Sequence, residues 1–164
     1  DKKFPGLKEL IANMYDTMYH SRGVGLAAPQ IGLSVRLFIT DGAPFDEEEV
    51  VDFKQVFINP VITREEGHLW KFNEGCLSIP NIREDVQRKE VVNIEYYDAD
   101  WKFRKETYTG LAARIIQHEY DHLEGVLFTD RISPLRRRLL KNKLSDITKG
   151  AVDVDYKMKF PLRK

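Results

Sequence analysis

The chain has 164 residues, with 26 Lys plus Arg against 26 Asp plus Glu, so its formal net charge of zero supplies no global field toward nucleic acid or an anionic membrane and any basic patch must be local. At 42% hydrophobic and 11% aromatic residues it can bury a real core, which argues against disorder, and its length suits one domain, taken as residues 1–164. No apolar run approaches the roughly 18 to 20 residues that span a bilayer, so no membrane partner is expected, and the single cysteine, Cys76, excludes an internal disulfide and points to a reducing compartment.

From Asp1, where neither a Met nor a signal peptide stands and the N-terminus reads as processed or trimmed, the first pattern is helical. Leu7, Leu10, Ile11, Met14, Tyr15 and Met18 recur at spacings of three and four behind Pro5, predicting an amphipathic helix over about residues 6–20. Residues 21–33 carry Gly23, Gly25, Gly32 and Pro29, poor material for helix or regular strand, and read as a shaped loop. Val35 to Thr40 reads as a buried strand, and the acidic stretch Asp46 to Glu49 as a solvated, mobile loop with no binding role. Gln55 to Arg64, His68 to Phe72, Val86 to Tyr97 and Trp101 to Tyr108 are β-branched and aromatic and read as antiparallel strands, with a turn at Asp98 to Asp100. Gly110 to Glu124 is a helix with Thr109 as N-cap and Gly125 as its stop. Pro134 to Thr148 is a last helix with Leu135, Leu139, Leu140, Leu144 and Ile147 on one side. Strands with three segregated helices make an α+β domain.

His118, Glu119, Tyr120, Asp121 and His122 form H-E-x-x-H inside the second helix, where four steps of about 100° return the second imidazole to nearly the same face, so both can meet one metal. Glu119, one step around, sits at the flank of such a metal, within reach of a proton on its bound water. Taking His118 as zero on the helical wheel, Leu111 falls near about 20° and Ile115 near about 60°, so the metal-bearing face continues into an apolar stripe able to wall a substrate pocket. A catalytic zinc-type site needs a third protein ligand and an open position. His20 and His68 are available, and Cys76 is better placed, in Glu74-Gly75-Cys76-Leu77-Ser78-Ile79-Pro80, where a glycine permits close approach of backbone to a ligand. The segment Gly23 to Gln30 lacks the Gly-Lys-Ser/Thr ending of a phosphate loop. It offers bare backbone for an extended peptide, and Gln30 offers an amide to a developing oxyanion.

Together, GVGLAAPQ at 23–30, EGCLS at 74–78 and HEYDH at 118–122 resemble the three motifs of the peptide deformylases, in the family's order and with family-like spacing, and the likeness extends over most of the chain. The resemblance implies antiparallel β-sheets around a central metal-binding helix. It implies that Cys76, His118 and His122 bind one divalent metal, that Glu119 is the general acid/base, that Gln30 and the backbone N–H of Leu77 hold the oxyanion, and that Val24, Gly25 and Gly75 present backbone to the substrate. The implied reaction removes formyl from N-formylmethionyl nascent polypeptides as formate, hydroxide on the metal attacking the formyl carbon, in the cytoplasm of a bacterium or in an organelle of bacterial origin. Softness and geometry favour Zn²⁺ for one Cys and two His ligands; the resemblance implies Fe²⁺, with Ni²⁺ or Co²⁺ as active substitutes. The sequence departs from the family at its N-terminus, where members carry further residues, including a strand, ahead of the first helix. Arg136, Arg137, Arg138, Lys141, Lys143 and Lys149 make the last helix basic, which suggests transient docking on RNA-rich ribosomes.

Two other classes share parts of this pattern. A zinc peptidase would also use H-E-x-x-H but would normally draw its third ligand from His or a carboxylate, and a metal-stabilised binding module would close the site with a fourth ligand.

Overall fold

A computed structural model describes residues 4–160. In chain order it contains α1 (Leu7–His20), β1 (Gly25–Ala27), a 3₁₀ turn (Ala28–Ile31), β2 (Leu37–Asp41), β3 (Lys54–Cys76), β4 (Ile79–Tyr97), β5 (Phe103–Thr109), α2 (Gly110–Leu123) and α3 (Pro134–Thr148), with short 3₁₀ turns at Ala43–Phe45 and Phe128–Asp130. The five strands form one antiparallel sheet in sequence order. No helix among the described residues is long and apolar enough to cross a membrane.

Period-two alternation places α1 and α2 on opposite faces of this sheet. Leu37 and Ile39 of β2, with Val56 and Ile58 of β3, pack on Met14 and Met18 of α1. Phe38 and Phe57, between them in sequence, point the other way and meet Ala113 and Ile116 of α2. The buried Met14 and Phe38 each contribute roughly 1.5–3 kcal/mol by leaving water. A third cluster joins Ile79, Ile82 and Val86 of β4 to Phe128, Ile132 and Ile147.

Several elements differ from the sequence reading. The segment read as a loop over 21–33 contains β1 and a 3₁₀ turn: Gly25, Leu26 and Ala27 pair with Thr40, Ile39 and Phe38 through backbone groups, which no side-chain pattern announces. The strands expected at 55–64 and 68–72 are one 23-residue strand, β3, bent by register shifts at Ile58/Val61, Ile62/Arg64 and Glu66/Leu69. β4 starts at Ile79 instead of Val86, leaving only Leu77 and Ser78 as the turn after Cys76.

The acidic segment also does more than meet solvent. Glu49 Oε1 accepts the N–H of Leu111 at 2.8 Å at the start of α2, whereas Thr109 makes no side-chain cap. A carboxylate at a helix N-terminus satisfies an orphan donor and opposes the positive end of the dipole. On α3, Leu140, Leu144 and Ile147 pack on the domain, while Leu135 and Leu139 are 67% and 65% exposed, so the five apolar residues do not form one buried side.

Candidate active site

The end of β3, the turn into β4, the β1 segment and α2 converge on a cleft of about 790 Å³. Its lining includes Val24, Gly25, Gln30, Gly75, Cys76, Leu77, Ile115, His118 and Glu119. Leu111 does not line it; one turn before Ile115, its N–H is engaged by Glu49. His20 and His68 are exposed.

Cys76, His118 and His122 offer ligand atoms that all lie within 4.8 Å of one another, and Cys76 Sγ stands 3.3 Å from His122 Nε2. Two donors on one tetrahedral ion, at about 2.3 Å for sulfur and 2.0–2.1 Å for nitrogen, are separated by about 3.3–3.6 Å, so the donor set fits one divalent metal. Glu119 Oε2 is buried without a hydrogen-bond partner, an orphaned acceptor at the flank of these ligands. The ligand cluster among the described residues holds three side chains and no fourth, unlike the closed site of a structural metal module.

The electrostatics favour a cation. Burial alone would raise the Cys76 thiol, but the neighbouring imidazoles of His118 and His122 bring it down to about 5. Burial opposes charge on His118 as well, yet Cys76 and Glu74 raise that imidazole to about 10. Thiolate and imidazole thus each favour the other's charged form, and a divalent ion binding there would displace the protons of its ligands. Burial also pushes the Glu119 carboxyl up to about 7, partly countered by His118 and His122. A carboxyl near neutrality suits proton transfer.

A buried charge network orients the ligands. Glu74 Oε2 stands 2.9 Å from His118 Nδ1, which leaves Nε2 of that ring for a metal. Arg88 donates to both Glu74 oxygens, at 2.7 and 2.9 Å, and to Asp121 Oδ2 at 2.7 Å; Arg114 adds a 2.8 Å bond to Glu74 Oε1. Burial works against the Glu74 charge, but His118 and Arg88 hold its carboxyl well below the usual range. Arg131 pairs with Asp121 from outside. Sequence reasoning assigned no role to Glu74, Arg88, Arg114, Asp121 or Arg131. The available signal was local: Glu74 lies two residues before Cys76, Asp121 lies inside H-E-x-x-H, and Arg114 stands one helical turn before His118.

Gln30 is fixed at both ends. Its Oε1 accepts the N–H of Ala27 at 2.8 Å, and its Nε2 donates to Ser78 Oγ at 3.1 Å while lying 3.7 Å from Cys76 Sγ. The amide NH₂ therefore faces the ligand cluster.

Residues 2–138 match the family model described as polypeptide deformylase. A peptide deformylase of Christiangramia forsetii is 57% identical over an alignment that covers 100% of this chain and 88% of the relative. The solved peptide deformylase of Legionella pneumophila is 42% identical, with a TM-score of 0.76, covering 90% of this chain and 83% of that one. A Plasmodium falciparum peptide deformylase structure is 35% identical, with a TM-score of 0.80 over 88% of this chain and 83% of that one.

Proposed function

The chain belongs to the polypeptide deformylase family of metal-dependent hydrolases, which remove N-formyl groups from nascent peptides, and on that premise we propose that it hydrolyses N-formylmethionyl peptides to formate and a free amino terminus in the cleft around Cys76. The carrying observation is the convergence there of three ligand-type side chains, a buried carboxylate with an unpartnered oxygen, and an oriented amide NH₂.

Cys76, His118 and His122 would hold one divalent metal, which when bound would supply Lewis acidity and lower the pKa of a water toward about 7. Glu119 would take a proton from the attacking water and return it to the departing amine nitrogen. Gln30 Nε2 and the Leu77 N–H donate to the formyl oxygen as it becomes anionic, where one such donor is typically worth about 2.7–4 kcal/mol in the transition state. Val24, Gly25 and Gly75 line the cleft and offer backbone groups to an extended peptide, and the buried Ile115 gives an apolar wall for the methionine side chain. We take Fe²⁺ as the metal in the cell on the strength of the family resemblance, with Ni²⁺ or Co²⁺ as active substitutes and Zn²⁺ as the competitor favoured by softness.

We read residues 1–164 as one catalytic domain, a reading supported by the shared sheet and its three core clusters; residues 1–3 and 161–164 lie outside the described part. The cytoplasm is the proposed location, in keeping with the lone reduced cysteine. Transient ribosome docking through α3 is supported by the basic and apolar residues that the helix exposes. Leu135, Leu139, Arg138 and Lys141 are exposed, whereas Arg136 and Arg137 are engaged by Glu84 and Asp130. Arg138→Glu with Lys141→Glu should reduce co-sedimentation with ribosomes at low salt and spare turnover of short peptides; unchanged co-sedimentation would remove this partner.

The primary test is formate release from a formyl-Met tripeptide by the metal-loaded protein, run beside an N-acetylated peptide of the same sequence. Rapid release from the formyl peptide alone is expected. Internal cleavage of both peptides without formate would assign the site to a peptidase.

A further inference from the structure

The segment after α3, beyond residue 138 where the family match stops, returns to the cleft. Asp153, Val154, Asp155 and Tyr156 line it opposite the motif residues. This tail is tied at three places. Asn81 Nδ2 donates to the Asp153 carbonyl at 3.4 Å, Asp155 pairs with Arg22 at 2.7 Å on an exposed rim, and the Tyr156 hydroxyl donates to the Leu77 carbonyl at 2.8 Å. Val152 anchors it in the apolar cluster of β4 and α3. Of the three polar ties, only that of Tyr156 reaches the two-residue turn that follows Cys76.

We propose that Tyr156 is a positioning residue for the hydrolysis: its hydroxyl holds the Leu77–Ser78 turn in the conformation that serves the oxyanion. The inference rests on the deformylase reading of the cleft. The Leu77 carbonyl belongs to the peptide plane next to the one bearing the Leu77 N–H, and only the two backbone dihedrals of Leu77 separate them. Anchoring the carbonyl therefore limits the direction of the N–H. The same turn carries Ser78, whose Oγ accepts from Gln30 Nε2, so both oxyanion donors depend on its placement. A register shift at Gly75/Cys76 interrupts the sheet pairing just before the turn, so an outside contact has a mechanical role there. Burial, with the Cys76 and Asp155 charges nearby, raises the Tyr156 pKa, and the phenol stays a donor at neutral pH.

Water can replace a hydroxyl at the half-buried Leu77 carbonyl, so losing this bond changes placement more than stability. Tyr156→Phe in the metal-loaded full chain should lower kcat on a formyl-Met tripeptide about three- to tenfold, the range of one ordinary hydrogen bond. KM should stay within about twofold, with bound metal and melting temperature as in the parent protein, because the ring still lines the cleft. Unchanged kcat would overturn the proposal, as would a kcat loss accompanied by equal losses of metal or thermal stability, which would make the tail a packing element alone. The parent protein is assayed first: absence of formate release there defeats the deformylase reading itself, whereas an active parent with an indifferent variant defeats only the role of Tyr156.

Discussion

Gly25 faces the carboxylate of Glu119 with no room for a side chain between them: a β-carbon on Gly25 would lie 2.3 Å from Glu119 Oε1 and 2.6 Å from its Cδ. Strand β1 and helix α2 thus meet at the carboxylate proposed as the general acid/base, and the glycine permits the approach. Gly25→Ala must push the Glu119 carboxylate aside. Displacement of a reacting group by about 1 Å can cost on the order of 10²-fold in rate. We expect kcat/KM on a formyl-Met peptide to fall by that order while metal content, set by Cys76, His118 and His122, is retained; undiminished turnover would show that Glu119 tolerates displacement.

Glu119→Gln keeps the shape of the side chain and removes its ability to take a proton. Positioned proton transfer typically contributes about 10²–10⁴ in rate, so single-turnover measurements should show a loss of that size with the metal still bound. A variant within twofold of the parent would reassign the general base.

Metal retention should grade with distance from the ion. Cys76→Ala removes a proposed ligand and should leave the protein unable to keep metal through dialysis against a weak chelator. Glu74→Gln removes the charge that orients His118, a change that typically weakens metal binding about 10- to 100-fold. Titration with a chromophoric chelator gives both values, and a Glu74 variant with parent affinity would separate the Glu74–His118 contact from metal binding.

Arg88, with a side chain 1% exposed, serves Glu74 and Asp121 at once. Arg88→Met leaves both carboxylates buried with fewer partners, a class of change that costs about 3–5 kcal/mol. Urea unfolding should show a loss of this size, and a cost below about 1 kcal/mol would mean that Arg114, His118 and Arg131 suffice.

Fe²⁺ bound beside a thiolate gives oxygen a route to oxidise the metal or Cys76. Anaerobically prepared Fe²⁺ protein should therefore lose activity in air while the Ni²⁺-substituted protein keeps it. Equal air stability of the two forms, or highest activity with Zn²⁺, would overturn the iron assignment and leave the ligands standing.

The three helices and the H-E-x-x-H pair were legible in the sequence because they are local: helical periodicity and a four-residue return depend on neighbours along the chain, and α1, α2 and α3 lie within a residue or two of the spans read from it. The cleft's glycine and cysteine motifs were legible for the same reason, each being a short run whose chemistry is carried by its own residues. β1 was not, because its identity comes from backbone pairing with β2, and Gly25 and Ala27 carry no strand signal of their own.

The roles of Arg88, Arg114 and Asp121 were hidden for a different reason. A charged residue reads as solvent-facing until the fold brings a partner of opposite sign to it, and the partners here are 14, 40 and 33 residues apart for Arg88–Glu74, Arg114–Glu74 and Arg88–Asp121. The same holds for Glu49 at the start of α2 and for Tyr156 on the Leu77 carbonyl, 79 residues away. The sequence by itself determined which groups could do the chemistry. Only the tertiary structure decided which buried charges orient His118, which glycine admits Glu119, and which tail residue braces the turn, since each is a contact between elements distant along the chain, and burial is what gives such a polar contact its strength.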